Sequence, residues 1–101
     1  MKNMTLENIA TVCGVYHGDP AKSKQEVTNI VIDSRKIEPG GLFIATKGER
    51  VDGHSFIGQV MEKGALAVVS EQELPDADFR YILVKDSFTA LKQIAAFYRE
   101  Q

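Results

Sequence analysis

Three short stretches of this chain, Leu42-Phe43-Ile44-Ala45, residues 65–69 and residues 81–84, are apolar without alternation. A strand with one wet face alternates apolar and polar residues, whereas an unbroken apolar run of four or five suits a strand covered on both faces. A fourth run, residues 27–32, is apolar and rich in β-branched side chains. Such strands need helices on either side, and the chain supplies three helical stripes. Leu6, Ile9, Ala10 and Cys13 recur at helical spacing behind Thr5, a possible N-cap, with Gly14 at the C-cap. Phe56, Ile57, Val60 and Met61 form a second stripe that stops at Gly64, and Leu91, Ile94, Ala95 and Tyr98 a third behind Asp86 or Ser87. The order is helix, strand, strand, helix, strand, strand, helix. This predicts a small three-layer α/β domain whose mostly parallel or mixed sheet has about four to five strands flanked by three helices.

The connections carry turn chemistry. Pro39-Gly40 suits the centre of a type II turn, since proline presets φ at the first position and glycine accepts positive φ at the second. Gly18-Asp19-Pro20 marks a turn within a polar stretch from His17 to Glu26, and the acidic segment 71–78, broken by Pro75, reads as an exposed connection. At 101 residues there is room for one core. The last helical pattern runs to Gln101 with no stop signal, which suggests a chain cut from a longer one.

Charge and cysteine content narrow the partners. Twelve Lys and Arg against fourteen Asp and Glu give a net charge of -2, the wrong sign for a nucleic-acid footprint, so any anion must be held locally. Lone Cys13 has no partner for an intramolecular disulfide, which points to a reducing, cytoplasmic setting. No apolar run approaches the ~18 residues of a membrane span, so no membrane insertion is expected.

Residues 48–55, Gly48-Glu49-Arg50-Val51-Asp52-Gly53-His54-Ser55, nearly spell a triphosphate-binding loop between a strand and a helix. His54, however, stands where the phosphate-neutralising lysine belongs, and Glu49 and Asp52 would repel a triphosphate. A glycine-bearing loop at the carboxyl end of a strand remains, which is where ligands of α/β sheets bind. Asp33-Ser34-Arg35-Lys36 leaves the preceding strand at its own carboxyl end, so if the two strands are parallel the two loops share an edge. Ser34, Arg35, Lys47 and Arg50 would then surround one phosphorylated ligand. The competing reading is a solvated turn carrying surface charge. A hydrolase triad from Asp33, Ser34 and His54 lacks a nucleophile elbow and an oxyanion hole. His17, His54 and Cys13 lack metal-ligand spacing, and Phe88, Phe97 and Tyr98 read as core and flanking residues of the last helix.

The succession Asp33-Ser34-Arg35-Lys36, Pro39-Gly40, Leu42-Phe43-Ile44-Ala45 and Lys47-Gly48-Glu49-Arg50-Val51-Asp52-Gly53-His54 resembles the N-terminal domain of the Mur ligases, and the likeness covers essentially all 101 residues. The resemblance implies that residues 1–101 form a UDP-recognition domain gripping the UDP of a UDP-linked muramoyl-peptide. Central and C-terminal domains of the same full-length chain would be its partners, with ATP and Mg2+ bound to the central one. No cofactor, metal or catalytic residue is implied within these 101 residues, and the isolated domain is expected to be inactive.

By motif position, Ser34 and Glu49-Arg50-Val51 match segments that contact the uridine nucleotide in relatives acting on the muramoyl-dipeptide. The UDP-binding set is therefore expected among Ser34, Arg35, Lys47, Gly48, Glu49, Arg50, Val51, Asp52, Gly53 and His54. Within the family the residues around Lys47 favour the ligase that adds D-Ala-D-Ala to UDP-N-acetylmuramoyl-tripeptide during cytoplasmic peptidoglycan synthesis. The alternatives are the sister ligase that adds the third amino acid, and a stand-alone interaction module without nucleotide.

Overall fold

The computed structural model describes residues 2–75 and 79–101. Its described residues form helices α1 (Leu6–Cys13), α2 (Ile57–Glu62) and α3 (Ser87–Arg99). The strands are β1 (Val15–His17), β2 (Ile30–Val31), β3 (Leu42–Ile44), β4 (Ala67–Ser70) and β5 (Tyr81–Leu83). The strands make one mixed sheet in the order β1-β5-β4-β3-β2. β2 to β5 run parallel to their neighbours, while β1 pairs antiparallel with β5 along one edge.

The absence of alternation in β3 has the expected cause. Leu42 and Ile44 point into a cluster with Leu6, Ile9, Val69, Ile82 and Ile94, under α1 and α3. Phe43 and Ala45 point the other way, into a cluster with Ile57, Val60, Val68 and Tyr81, under α2. Successive side chains of a strand face opposite sides, so both sides being dry makes every position apolar. The three layers are therefore α1 and α3, the sheet, and α2.

Local signals fix the helix ends. Thr5 accepts a hydrogen bond from the Asn8 amide at the start of α1, and the Gly14 amide closes its other end on the Ala10 carbonyl. Asp86 accepts from the Thr89 amide at the start of α3. Such caps satisfy backbone groups that the helix leaves unpaired. The Pro39-Gly40 turn is type II: the Gly41 amide bonds the Glu38 carbonyl at 2.9 Å and Gly40 has φ of 80°.

The structure departs from the sequence reading in four places. β1 falls where no strand was expected, and His17 stacks on Tyr81 across the β1–β5 pair with ring centroids 4.9 Å apart. β2 is shorter than the 27–32 run, because the residues before Ile30 bond elsewhere: the Val27 amide to the Met4 carbonyl and the Thr28 amide to that of Gly40. Tyr98, counted in the third helical stripe, is half exposed, whereas Phe97 packs on the core. Finally, the acidic segment 71–78 is anchored rather than free at its start, through Glu71; residues 76–78 lie outside the described residues.

Candidate functional site: a cleft at the carboxyl edge of β2 and β3

Parallel pairing of β2 with β3, Ile30 opposite Leu42 and Val31 opposite Phe43, brings the two expected loops to the same edge of the sheet. Each strand exits through an aspartate and a 3₁₀ turn. Asp33 accepts from the Arg35 amide and opens the turn Ser34–Lys36; Asp52 accepts from the His54 amide and opens the turn Gly53–Phe56. An aspartate that bonds the backbone two residues on is a standard way to start a turn.

Between the loops lies a cleft of about 540 Å³, lined by Ile32, Asp33, Ser34, Arg35, Thr46, Gly48, Val51, Gly53, Phe56 and Gln59. That volume falls in the range of small-molecule sites. The second loop folds back on itself, with the Gly48 amide on the Val51 carbonyl at 2.9 Å and the Gly53 amide on the Thr46 carbonyl at 2.7 Å. This packing requires glycine at 53. A Cβ there would meet the Thr46 backbone nitrogen and oxygen at 2.9 Å each.

Of the residues expected to bind UDP, Ser34, Arg35, Gly48, Val51 and Gly53 line this cleft. Ser34 is buried beneath it. Lys47, Glu49 and Arg50 are exposed on the loop beside it, where their charges face solvent. Asp52 and His54 turn away from it and toward each other, Oδ1 and Nδ1 being 2.7 Å apart. The structure adds Ile32, Thr46, Phe56 and Gln59 to the lining. The first two adjoin the motifs directly, and Gln59 sits one helical turn beyond Phe56, so proximity to the motifs was the available signal.

The electrostatics are set by one ion pair. Asp33 receives the Arg35 guanidinium with Nε at 3.0 Å and Nη2 at 2.9 Å, which pulls its carboxyl down to about 2, while the same pair raises the arginine. Bonds from the His54 backbone and ring lower Asp52 as well. Of the cations named above, Arg35 lines the cleft, held by its aspartate, while Lys47 and Arg50 are exposed on the adjoining loop. Ile32 and Val51 are 53% and 56% exposed at the cleft. Apolar walls with donors nearby suit a flat heterocycle carrying an anionic tail.

At the lysine position of a triphosphate loop, His54 donates nothing toward the cleft, since its Nε2 accepts from the Glu71 amide at 3.0 Å. The hydrolase arrangement fails on the same ground, because His54 is committed to Asp52 and Glu71 rather than to Ser34. Among the described residues no group of three or more His, Cys, Asp or Glu side chains is placed to hold a metal ion. No described helix is long and apolar enough to cross a membrane.

A family model described as "Mur ligase family, catalytic domain" matches residues 26–99. The chain is 37% identical over 103 residues to the UDP-N-acetylmuramoyl-tripeptide--D-alanyl-D-alanine ligase of Bacillus subtilis (strain 168), an alignment covering 100% of the chain and 22% of that relative. It is 55% identical over 78 residues to the UDP-N-acetylmuramoyl-L-alanyl-D-glutamate--2,6-diaminopimelate ligase of Cytophaga hutchinsonii, covering 72% of the chain and 16% of the relative. A crystal structure of MurF from Acinetobacter baumannii superposes on 95% of the chain and 20% of its own with a TM-score of 0.79 at 36% identity. The chain thus spans about a fifth of the length of the relatives it matches.

Proposed function

This chain belongs to the Mur ligase family, and we propose that it is the N-terminal domain of such a ligase, holding the UDP of a UDP-linked muramoyl-peptide in the cleft between the β2 and β3 loops. One observation carries the reading: parallel β2 and β3 set the Asp33 and Gly48 segments side by side around a cleft with apolar walls and Arg35 in its lining. Uracil suits the walls formed by Ile32, Val51 and Phe56. The diphosphate suits Arg35, Lys47, Arg50 and the buried Ser34 hydroxyl.

In this reading the 101 residues bind and orient substrate but do not perform the ligation. ATP and Mg2+, which in the full-length enzyme would activate the terminal carboxylate of the peptide, belong to a central domain outside these residues. The residues here do not fit a triphosphate, because the lysine position is taken by a histidine turned to other partners. The setting is the cytoplasmic stage of peptidoglycan precursor synthesis. Central and C-terminal domains of the same chain complete the site.

We assign the D-Ala-D-Ala-adding reaction on the alignment with the B. subtilis relative, which runs the whole length of the chain. The 55% identity to the diaminopimelate-adding relative over a shorter span favours the sister reaction as the second reading. Both reactions start from a UDP-muramoyl-peptide, so the cleft serves either. Two measurements test these claims. Titrating UDP into the 101-residue chain should shift the amides of Ser34, Gly48, Arg50 and Gly53; shifts clustered at residues 79–85 instead, or none at saturation, overturn the site. Phosphate release by the full-length protein, given UDP-muramoyl-tripeptide with D-Ala-D-Ala or UDP-muramoyl-dipeptide with the third amino acid, decides the reaction.

A further inference from the structure

His54 is placed as a bridge between the loops that follow β3 and β4. Its side chain is 6% exposed, its Nδ1 lies 2.7 Å from Asp52 Oδ1, and its Nε2 lies 3.0 Å from the backbone nitrogen of Glu71, the first residue after β4. An amide N–H can only donate, so Nε2 must offer its lone pair; the ring proton then sits on Nδ1 and is donated to Asp52. One contact fixes both the tautomer and the neutral state of the ring. Glu71 continues the series, since its Oε2 accepts from the Ser87 amide at 2.7 Å at the first turn of α3. A carboxylate at a helix start is favoured by the unpaired N–H groups there.

The series Asp52, His54, Glu71, Ser87 therefore runs across the loops that follow β3, β4 and β5 along the carboxyl edge of the sheet. One end adjoins Gly53, which forms the cleft wall against Thr46. At the other end Glu71 lines a second cleft, of about 780 Å³, bounded by Cys13, Val84, Asp86 and Thr89. Nothing else among the described side-chain bonds joins the β3 loop to the β4 loop.

We propose that His54 is a positioning residue: as a neutral Nδ1–H imidazole it fixes the 52–53 wall of the first cleft against the β4 loop, so that the wall is held in its binding geometry before ligand arrives. The geometry of the tie stands without any ligand; its consequence for UDP rests on the reading given above. Holding the wall in advance lowers the ordering cost of binding. The side chains of Gln and Asn separate the two halves of the role. Gln places its amide oxygen near the position of Nε2 and can still accept from Glu71, whereas Asn reaches only the position of Nδ1.

Nitrogen-detected NMR of the ligand-free 101-residue chain should find Nδ1 protonated and Nε2 bare. Amide exchange at Glu71 and Gly53 should be slow in the wild type and in His54→Gln, and fast at both sites in His54→Asn. UDP affinity should fall roughly fivefold in His54→Asn, as expected for one lost hydrogen bond, and recover in His54→Gln. An Nε2–H tautomer, or equal exchange at Gly53 in all three proteins, overturns the proposal whether or not UDP binds. Should the wild type fail to bind UDP while the tautomer and exchange results hold, the ligand assignment fails and the positioning role stands. Should His54→Asn not fold, the wild-type tautomer decides, and fast exchange at Glu71 or Gly53 in His54→Gln likewise overturns the proposal.

Discussion

The Asp33 carboxylate grips the Arg35 guanidinium through two parallel bonds, Nε to Oδ1 at 3.0 Å and Nη2 to Oδ2 at 2.9 Å. A fork-to-fork pair of this kind is geometrically specific, yet the arginine side chain is 85% exposed. Its effect is to neutralise the aspartate locally rather than to stabilise the core.

A pH titration follows from this pair. The arginine side chain, and secondarily its backbone amide, hold Asp33 at about 2 against an ordinary 3.8. A depressed carboxyl contributes stability above its unfolded value, and that contribution disappears as pH falls through the folded value. Between pH 7 and pH 4 this pair should leave stability unchanged, with the loss confined to the window from about 3.8 down to about 2. Carbon-detected NMR of the Asp33 carboxyl should give that low midpoint, and Arg35→Ala should raise it toward 3.8. A midpoint already near 3.8 in the wild type would contradict the bidentate geometry.

Two glycines near the cleft should respond oppositely to alanine. At Gly53 the new Cβ meets Thr46 backbone at 2.9 Å, which cannot swing aside, so Gly53→Ala should cost about 1–3 kcal/mol. At Gly58, in α2, nothing lies within 4 Å, and alanine should stabilise by ~0.5 kcal/mol through helix propensity. Urea unfolding of the two variants measures both. Equal midpoints would mean that the 46–53 loop relaxes around the added methyl group.

β3, dry on both faces, should contribute heavily to stability. Phe43 is 1% exposed between β3 and α2, so Phe43→Ala should cost about 3–5 kcal/mol. Tyr98, 51% exposed on α3, should lose much less on the same truncation, within about 1 kcal/mol. Thermal melts give the comparison directly.

These contrasts also explain what sequence could reveal. β3 was legible because Leu42, Phe43, Ile44 and Ala45 are dry on both faces, and burial on two faces erases alternation. β1 was not, because Val15, Tyr16 and His17 form one short edge strand whose identity depends on Leu83, Ile82 and Tyr81 far along the chain. That the Asp33 and Gly48 segments share an edge was foreseen only on condition of parallel pairing, which no local pattern encodes. The place of His54 was hidden for the same reason: its decisive partner, Glu71, is 17 residues away and contributes a backbone amide, which carries no residue signature.

Cys13 should be a poor nucleophile although it lines the second cleft. Burial pushes its thiol up to about 11 from 9.0, so near neutral pH it exposes roughly a hundredfold less thiolate than an unperturbed cysteine. Iodoacetamide labelling at pH 7.5 should be slower by about that factor than in urea-unfolded protein. Equal rates would show that the α1 end opens freely.

The sharpest test of the cleft is removal of charge beside it. Among the described residues Arg50 makes no ion pair, so its charge is available to a diphosphate, and Arg50→Ala should weaken UDP binding roughly threefold to tenfold. Arg35 has a second duty, since removing it leaves the Asp33 carboxylate unbalanced in the lining. Arg35→Ala should therefore weaken UDP as much as Arg50→Ala or more, and Asp33→Asn added to Arg35→Ala should recover the part of the loss that comes from repulsion. Lys92→Ala, on exposed α3, should change nothing. ATP should not compete, with or without Mg2+, because its triphosphate would need a cation where His54 is turned away. Amide-detected titrations at fixed ionic strength supply all these affinities. If the double variant binds no better than Arg35→Ala alone, Arg35 acts only by direct contact with the phosphates and the neutralising role of the pair is wrong.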